Sequence, residues 1–182
     1  MLRYFRRGFA IIRGLLFQII CFFKNSIKCG NKMVISKGVE IRARNKASID
    51  IGNRVRIGTE SCISALNGGH IYIGDDVSIG SKSHIVSHDG ITIGEGTIFA
   101  QNIHVYDHDH KFDFIHGVKK KEFNTAPVVI GKNCWIGANT IILRGTEIGD
   151  NSVVGAGSIL KGKYPGGSLI VQPRETVVRP LE

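Results

Sequence analysis

"IGKNCWIGANTIILRGTEIGDNSVVGAGSIL", residues 130–160, repeats itself every six residues. Ile130, Ile136, Ile142, Ile148, Val154 and Leu160 stand one period apart, and all are aliphatic. A period of six cannot be an α-helix, whose faces recur every 3.6 residues, but it lets a short strand turn a corner every six. Three corners close a coil.

The same spacing runs back toward the N-terminus through Ile51, Ile57, Ile63, then Ile73, Ile79, Ile85, then Ile93, Phe99, Val105, so fifteen positions carry the repeat and every one is apolar. Glycine follows nine of them, at Gly52, Gly58, Gly74, Gly80, Gly94, Gly131, Gly137, Gly149 and Gly155, and the third member of each group of three lacks it. Four residues after the apolar position the side chain is small, as in Ser61, Ser83, Thr97, Cys134, Thr140, Thr146, Ser152 and Ser158. The eighteen-residue super-period in the glycines predicts a triangular prism with large apolar side chains stacked inside and the glycines giving backbone freedom near the bends. Parallel strands about 4.8 Å apart would make five coils roughly 24 Å tall. An earlier, less regular coil is expected around "MVISKGVEIRARNKASID", residues 33–50, with Ile35, Ile41 and Ile49 in its core.

Three interruptions break the period. Small bulges fall at "LNGGH" (residues 66–70) and "SHDG" (87–90), and a long loop is expected near residues 106–127. A long excursion from a compact solenoid is a favoured place for function. It opens on "NIHVYDHDHKF", residues 102–112, where two histidines and two aspartates occupy four consecutive positions, 107 to 110.

The first 24 residues differ from the rest. Leu2, Phe5, Phe9, Ile12, Leu16, Ile19 and Phe23 recur at three- and four-residue steps, Ile11, Leu15 and Ile20 widen the face, and Arg3, Arg6, Arg7 and Arg13 precede or interrupt it. The apolar run from residue 8 to 23 falls short of the roughly 20 residues a spanning helix needs. No small-x-small cleavage site follows to favour a signal peptide. An amphipathic helix lying in a membrane surface is the expectation, with docking on its own domain or on a neighbouring subunit as the plain alternative. The formal charge of +9 favours anionic partners without choosing among them. Cys21, Cys29, Cys62 and Cys134 lack any ligand-type spacing and read as free thiols.

The repeat, the histidine-bearing insertion and "CWIGAN" together resemble the hexapeptide-repeat acyltransferases, and within them the galactoside, maltose and polysaccharide O-acetyltransferase branch, over about residues 35 to 165. The resemblance implies an all-β left-handed parallel β-helix, a homotrimer, acetyl-CoA as donor and active sites between neighbouring prisms. Domain limits follow: a surface helix at 1–26, the β-helix at 27–165 and a tail at 166–182. The family's histidine that deprotonates the acceptor hydroxyl matches His108, with His110 as second choice and Asp107 or Asp109 as the group that orients the ring. The resemblance places the pantetheine arm near Trp135, Gly137, Ala138, Gly155, Ala156 and Gly157, with Lys161 and Lys163 toward the CoA phosphates and backbone N–H groups at the glycine-rich bends as donors to the thioester oxygen.

Two departures bear on substrate. The family's closing "G-x-P-A-K/R" segment survives only as Pro173 and Arg174 within "LIVQPRETVVRPLE". The galactoside branch's acceptor asparagines have no counterpart, and His84, Ser87, His88 and Asp89 occupy that neighbourhood; of these His84, His88 and Asp89 are the candidate acceptor residues. The expected activity is O-acetylation of a sugar hydroxyl in surface polysaccharide or lipid-linked saccharide synthesis, on the inner face of the cytoplasmic membrane. Alternatives are an amino-sugar N-acetyltransferase and a trimeric zinc enzyme of the carbonic anhydrase type, the latter raised by the density of histidines, although no metal ligand set is assigned. A nucleic-acid partner is not expected, because "KKK" at 119–121 has no aromatic stacking platform around it.

Overall fold

In the computed structural model, which describes residues 2–22, 25–173, 175 and 178–179, the chain is a parallel β-solenoid preceded by one helix, α1 (Leu2–Phe22). Three sheets form the prism. The first stacks Ile27–Cys29, Ser48–Ile51, His70–Ile73, Gly90–Ile93, Val128–Ile130, Glu147–Ile148 and Lys163–Tyr164. The second stacks Val34–Ile35, Arg56–Ile57, Ser78–Ile79, Ile98–Phe99, Trp135–Ile136, Val153–Val154 and Leu169–Ile170. The third holds Glu40–Ala43, Cys62–Ala65, His84–Ser87, His104–Tyr106, Ile141–Ile142 and Ile159–Leu160.

Register confirms the period of six. Ile51, Ile73, Ile93, Ile130 and Ile148 pair directly across the first sheet. Val105 pairs with Ile85 and with Ile142 in the third. All fifteen repeat positions are at most 5% exposed, so the core is a continuous column of aliphatic side chains, each worth about 1.5–3 kcal/mol relative to exposure. The irregular early coil is present, with Ile35 and Ile49 buried and Ile41 packed against the core. The coil pattern also continues through Leu169–Ile170, which pairs with Val153–Val154.

The glycines serve a purpose other than the one expected. None of the nine takes a left-handed backbone; that conformation falls two residues later, at Arg54, Asp76, Asn133, Asn139 and Asn151 among others. The glycines stand where coils touch. A Cβ on Gly137 would lie 2.6 Å from the Ala156 nitrogen, and one on Gly80 would strike the Ala100 carbonyl of the next coil. The small residues close the corners by hydrogen bonds, as Thr97 Oγ1 donates to Gly131 O (2.8 Å) and Ser158 Oγ to Gly155 O (2.7 Å).

The long insertion expected from the break in the period is present, and it is ordered. His108–Asp113 and Gly117–Thr125 form an antiparallel hairpin. Backbone pairing orders it in the absence of an apolar core, since only Phe123 and Asp113 escape full exposure beyond His108.

The helix docks by its narrow side. Ala10 and Cys21 are buried, Phe17 packs on the core and Gly14 lies against the Met33 backbone, where any side chain would collide. Gln18 Nε2 donates to Gly30 O at the first coil. Phe9, Ile11, Ile12, Leu15, Leu16, Ile19, Ile20 and Phe22 all remain exposed, at 43–86%. Among the described residues no helix is long and apolar enough to cross a membrane. The side chains of Leu2, Arg3, Phe5, Arg6 and Arg7, together with Phe23 and Arg174, lie outside the described residues.

Candidate active site

The corner that follows His104–Tyr106 turns Asp107 inward, because alternation along that strand has just pointed Tyr106 outward. Asp107 is fully buried. Its Oδ2 accepts from Ser87 Oγ (2.6 Å) and from the Asp89 N–H (2.9 Å), and its Oδ1 accepts from the His88 N–H (2.8 Å) and from His108 Nδ1 (3.0 Å). Burial alone would push this carboxyl upward, but the bonds from His108, Ser87 and the two backbone amides outweigh it and hold Asp107 below the ordinary carboxylate range. It is an ionised group in a protein interior, surrounded by donors.

That arrangement fixes the tautomer of His108. With a carboxylate on Nδ1, the neutral ring carries its proton there and leaves the Nε2 lone pair free. Ser87 bonds to the carboxylate and not to the imidazole, so Ser87, Asp107 and His108 do not make a serine nucleophile with its base. They hold one imidazole in a fixed orientation.

Around it the rings are close. His88 stacks on His108 with centroids 4.1 Å apart, Phe123 from the hairpin lies 4.2 Å from His88 and edge-on to His108, and His110 lies 4.7 Å from Phe123. Burial, then the adjacent His108, keep His88 below the usual imidazole pKa, which favours its neutral form beside His108. Asp109 points away to Arg144, which removes it as the orienting carboxylate.

The candidate acceptor residues divide. His88 stacks on His108, and Asp89 takes part through its backbone while its side chain stays exposed. His84 does not join them. It faces outward one strand-alternation earlier and stacks on His104 at 5.3 Å. Phe123, Asn67 and Arg144 were not legible as site residues; Phe123 carried one signal, as the single aromatic in the strand "GVKKKEFNT".

The residues expected along a pantetheine arm lie on two successive coils. Trp135 is 56% exposed on the outside of the second sheet, in one outward row with Ile98, Val153 and Leu169. Gly137–Ala138 and Gly155–Ala156–Gly157 stack directly, with the Gly157 N–H donating to Ala138 O. Within these glycine-rich bends the N–H groups of Gly137, Gly155 and Gly157 are spent on coil bonds to Val154, Ile170 and Ala138. Those of Ala138 and Ala156 carry no such bond among the described residues. Lys161 is exposed, and Lys163 is paired with Glu147 at 2.8 Å. No group of three or more His, Cys, Asp or Glu side chains arranged for a metal ion occurs among the described residues.

Comparison with known proteins agrees with the architecture. A family model described as the hexapeptide repeat of succinyl-transferase matches residues 70–106 and 127–161. The galactoside O-acetyltransferase of Escherichia coli (strain K12) is 39% identical over 82 residues, covering 44% of this chain and 39% of that one. WbbJ of the same organism, provisionally assigned as a lipopolysaccharide biosynthesis O-acetyl transferase, is 36% identical over 96 residues, 48% of each chain. The chain thus spans about half or less of these relatives. Among solved structures, a point mutant of AntD, an N-acyltransferase from Bacillus cereus in complex with dTDP and coenzyme A, superposes with a TM-score of 0.67 at 26% identity, over 80% of this chain and 79% of that one.

Proposed function

We propose that this chain is a hexapeptide-repeat acyltransferase that transfers an acetyl group from acetyl-CoA to a saccharide hydroxyl with His108 as general base, a reading the repeat match and the acetyltransferase relatives support. The observation that carries this is the buried Asp107 committed to His108 Nδ1 at 3.0 Å. In the reaction the acceptor oxygen attacks the thioester carbonyl while Nε2 takes its proton. The tetrahedral intermediate then collapses, the C–S bond breaks, and the imidazolium returns the proton to the CoA sulfur. A base of this kind contributes on the order of 100- to 10,000-fold. The free N–H groups of Ala138 and Ala156 are suited to the charge that develops on the thioester oxygen.

The relatives named as O-acetyl transferases support oxygen as the acceptor atom. The likeness to an N-acyltransferase bound to coenzyme A keeps amino-sugar acylation as the second reading, since the same base serves an amine. The outward row of Ile98, Trp135, Val153 and Leu169 fits a second copy of the chain and supports a homotrimer. The exposed apolar side of α1 supports attachment to the inner face of the cytoplasmic membrane, where lipid-linked saccharides are assembled.

The test is thiol release from acetyl-CoA by purified protein given a panel of sugars in matched hydroxyl and amino forms. Release should depend on an added hydroxyl acceptor and fall at least about 100-fold in His108→Ala. Full activity in that variant, with loss in His110→Ala instead, would move the base; release only with amino sugars would establish the second reading.

A further inference from the structure

Beside the base, a cleft of about 560 Å³ is lined by Asn67, His88, Lys120, Lys121, Phe123 and Thr125. Its size is that of a small-ligand site, large enough for one substituted sugar. No carboxylate lines it.

The charges of the hairpin are unequal around this cleft. Asp109 is taken by Arg144, Asp113 by Lys119 and Glu122 by Lys111, so each acid on the two strands already has a cation. Lys120 and Lys121 have none within ion-pair distance among the described residues. Two uncompensated ammonium groups therefore share a concave surface with an amide, a hydroxyl and a neutral imidazole. His88 is both a wall of this cleft and the ring stacked on His108, so the cleft lies one ring away from the proposed base.

We propose that the cleft holds an anionic group of the acceptor, a phosphate or a carboxylate on the saccharide, and that Lys120 and Lys121 set the enzyme's preference for charged acceptors. The proposal rests on the acyl-transfer reading and names the substrate class for it. Charge supplies the attraction, and the ammonium groups donate to the anion's oxygens. Asn67 Nδ2, 3.4 Å from His88 Nδ1, is placed to add a neutral donor.

The experiment uses the full chain and acceptors in matched sets: a methyl glycoside, its uronate and its 6-phosphate. Acyl transfer is followed by thiol release, and binding by calorimetric titration without acetyl-CoA. Wild type should show a kcat/KM at least tenfold higher for a charged member than for the neutral one. Lys120→Ala/Lys121→Ala should remove that preference through the acceptor KM, and Lys120→Arg/Lys121→Arg should restore most of it. The uronate and the phosphate arms say which anion is meant. Equal use of neutral and charged acceptors overturns the proposal while leaving acyl transfer intact. So does a variant whose loss appears in the KM of acetyl-CoA, which would assign the lysines to CoA phosphates. If no acceptor is acylated, the acyl-transfer reading fails separately, and the titration decides the cleft: tighter binding of the charged glycoside that the alanine variant abolishes supports it, and equal binding ends it.

Discussion

At the scale of single residues, Asp107 decides the most. Asn at this position would turn one oxygen into a donor facing other donors, leaving at least one buried N–H or O–H unpaired. Each unmet group costs about 1–3 kcal/mol. It would also free His108 to take the other tautomer, so Asp107→Asn should lower kcat by roughly 100-fold while acetyl-CoA binding persists. The pH dependence follows from the direction of the shift. A carboxyl held below its ordinary value stabilises the fold fully above the unfolded pKa of about 3.9 and loses that contribution as pH falls through the folded value. Wild type and Asp107→Asn should therefore differ most in urea midpoint near pH 6 and converge below about pH 4; a gap that persists in acid would show that the carboxylate's charge is not what the pocket stabilises.

At the scale of elements, α1 and the hairpin are the two additions to an otherwise repetitive body. The helix reverses a common expectation for a docked amphipathic helix, since, Phe17 apart, it is the small Ala10, Gly14 and Cys21 that face the protein while eight large apolar side chains face away. Gly14 makes that geometry possible by letting the helix approach the first coil at Met33. A face of eight exposed large apolar side chains is costly in water and gains by entering a lipid interface. The protein should float with phosphatidylglycerol vesicles in a density gradient. Ile12→Asp/Leu16→Asp/Ile19→Asp should leave it in the dense fraction with its circular dichroism unchanged; unaltered flotation would assign the attachment to another surface. The hairpin, by contrast, brings Phe123 and the lysine pair against a corner formed by two other coils. Spacing along the chain gives no warning of that contact.

At the scale of the whole molecule, the outward apolar row on the second sheet should draw three copies together, giving a mass about three times 19.9 kDa in sedimentation equilibrium. Trp135→Glu should shift that mass toward the single chain, and a wild type that sediments as one copy would remove the trimer. The solenoid itself was readable from the sequence because each coil contacts only its neighbours, so one local rule, an apolar residue every six, specifies the entire core. The contact between Asp107 and His108 is local for a similar reason, since the two are adjacent in the chain. What the chain alone could not give was anything that depends on residues meeting across coils. The nine glycines were visible, but only the stacked coils reveal that they relieve contact and leave left-handed turns to Arg54 and Asn139. Likewise Ser87 and His88 reach Asp107 from 20 and 19 residues away, one coil off, and Asp109 is withdrawn by Arg144 at a separation of 35. The sequence determined the prism and its axis of repetition, because these are set by spacing. The tertiary structure alone decided which carboxylate holds His108, which histidines surround it and which side of the helix is left bare, because those outcomes are contacts between residues that no period connects.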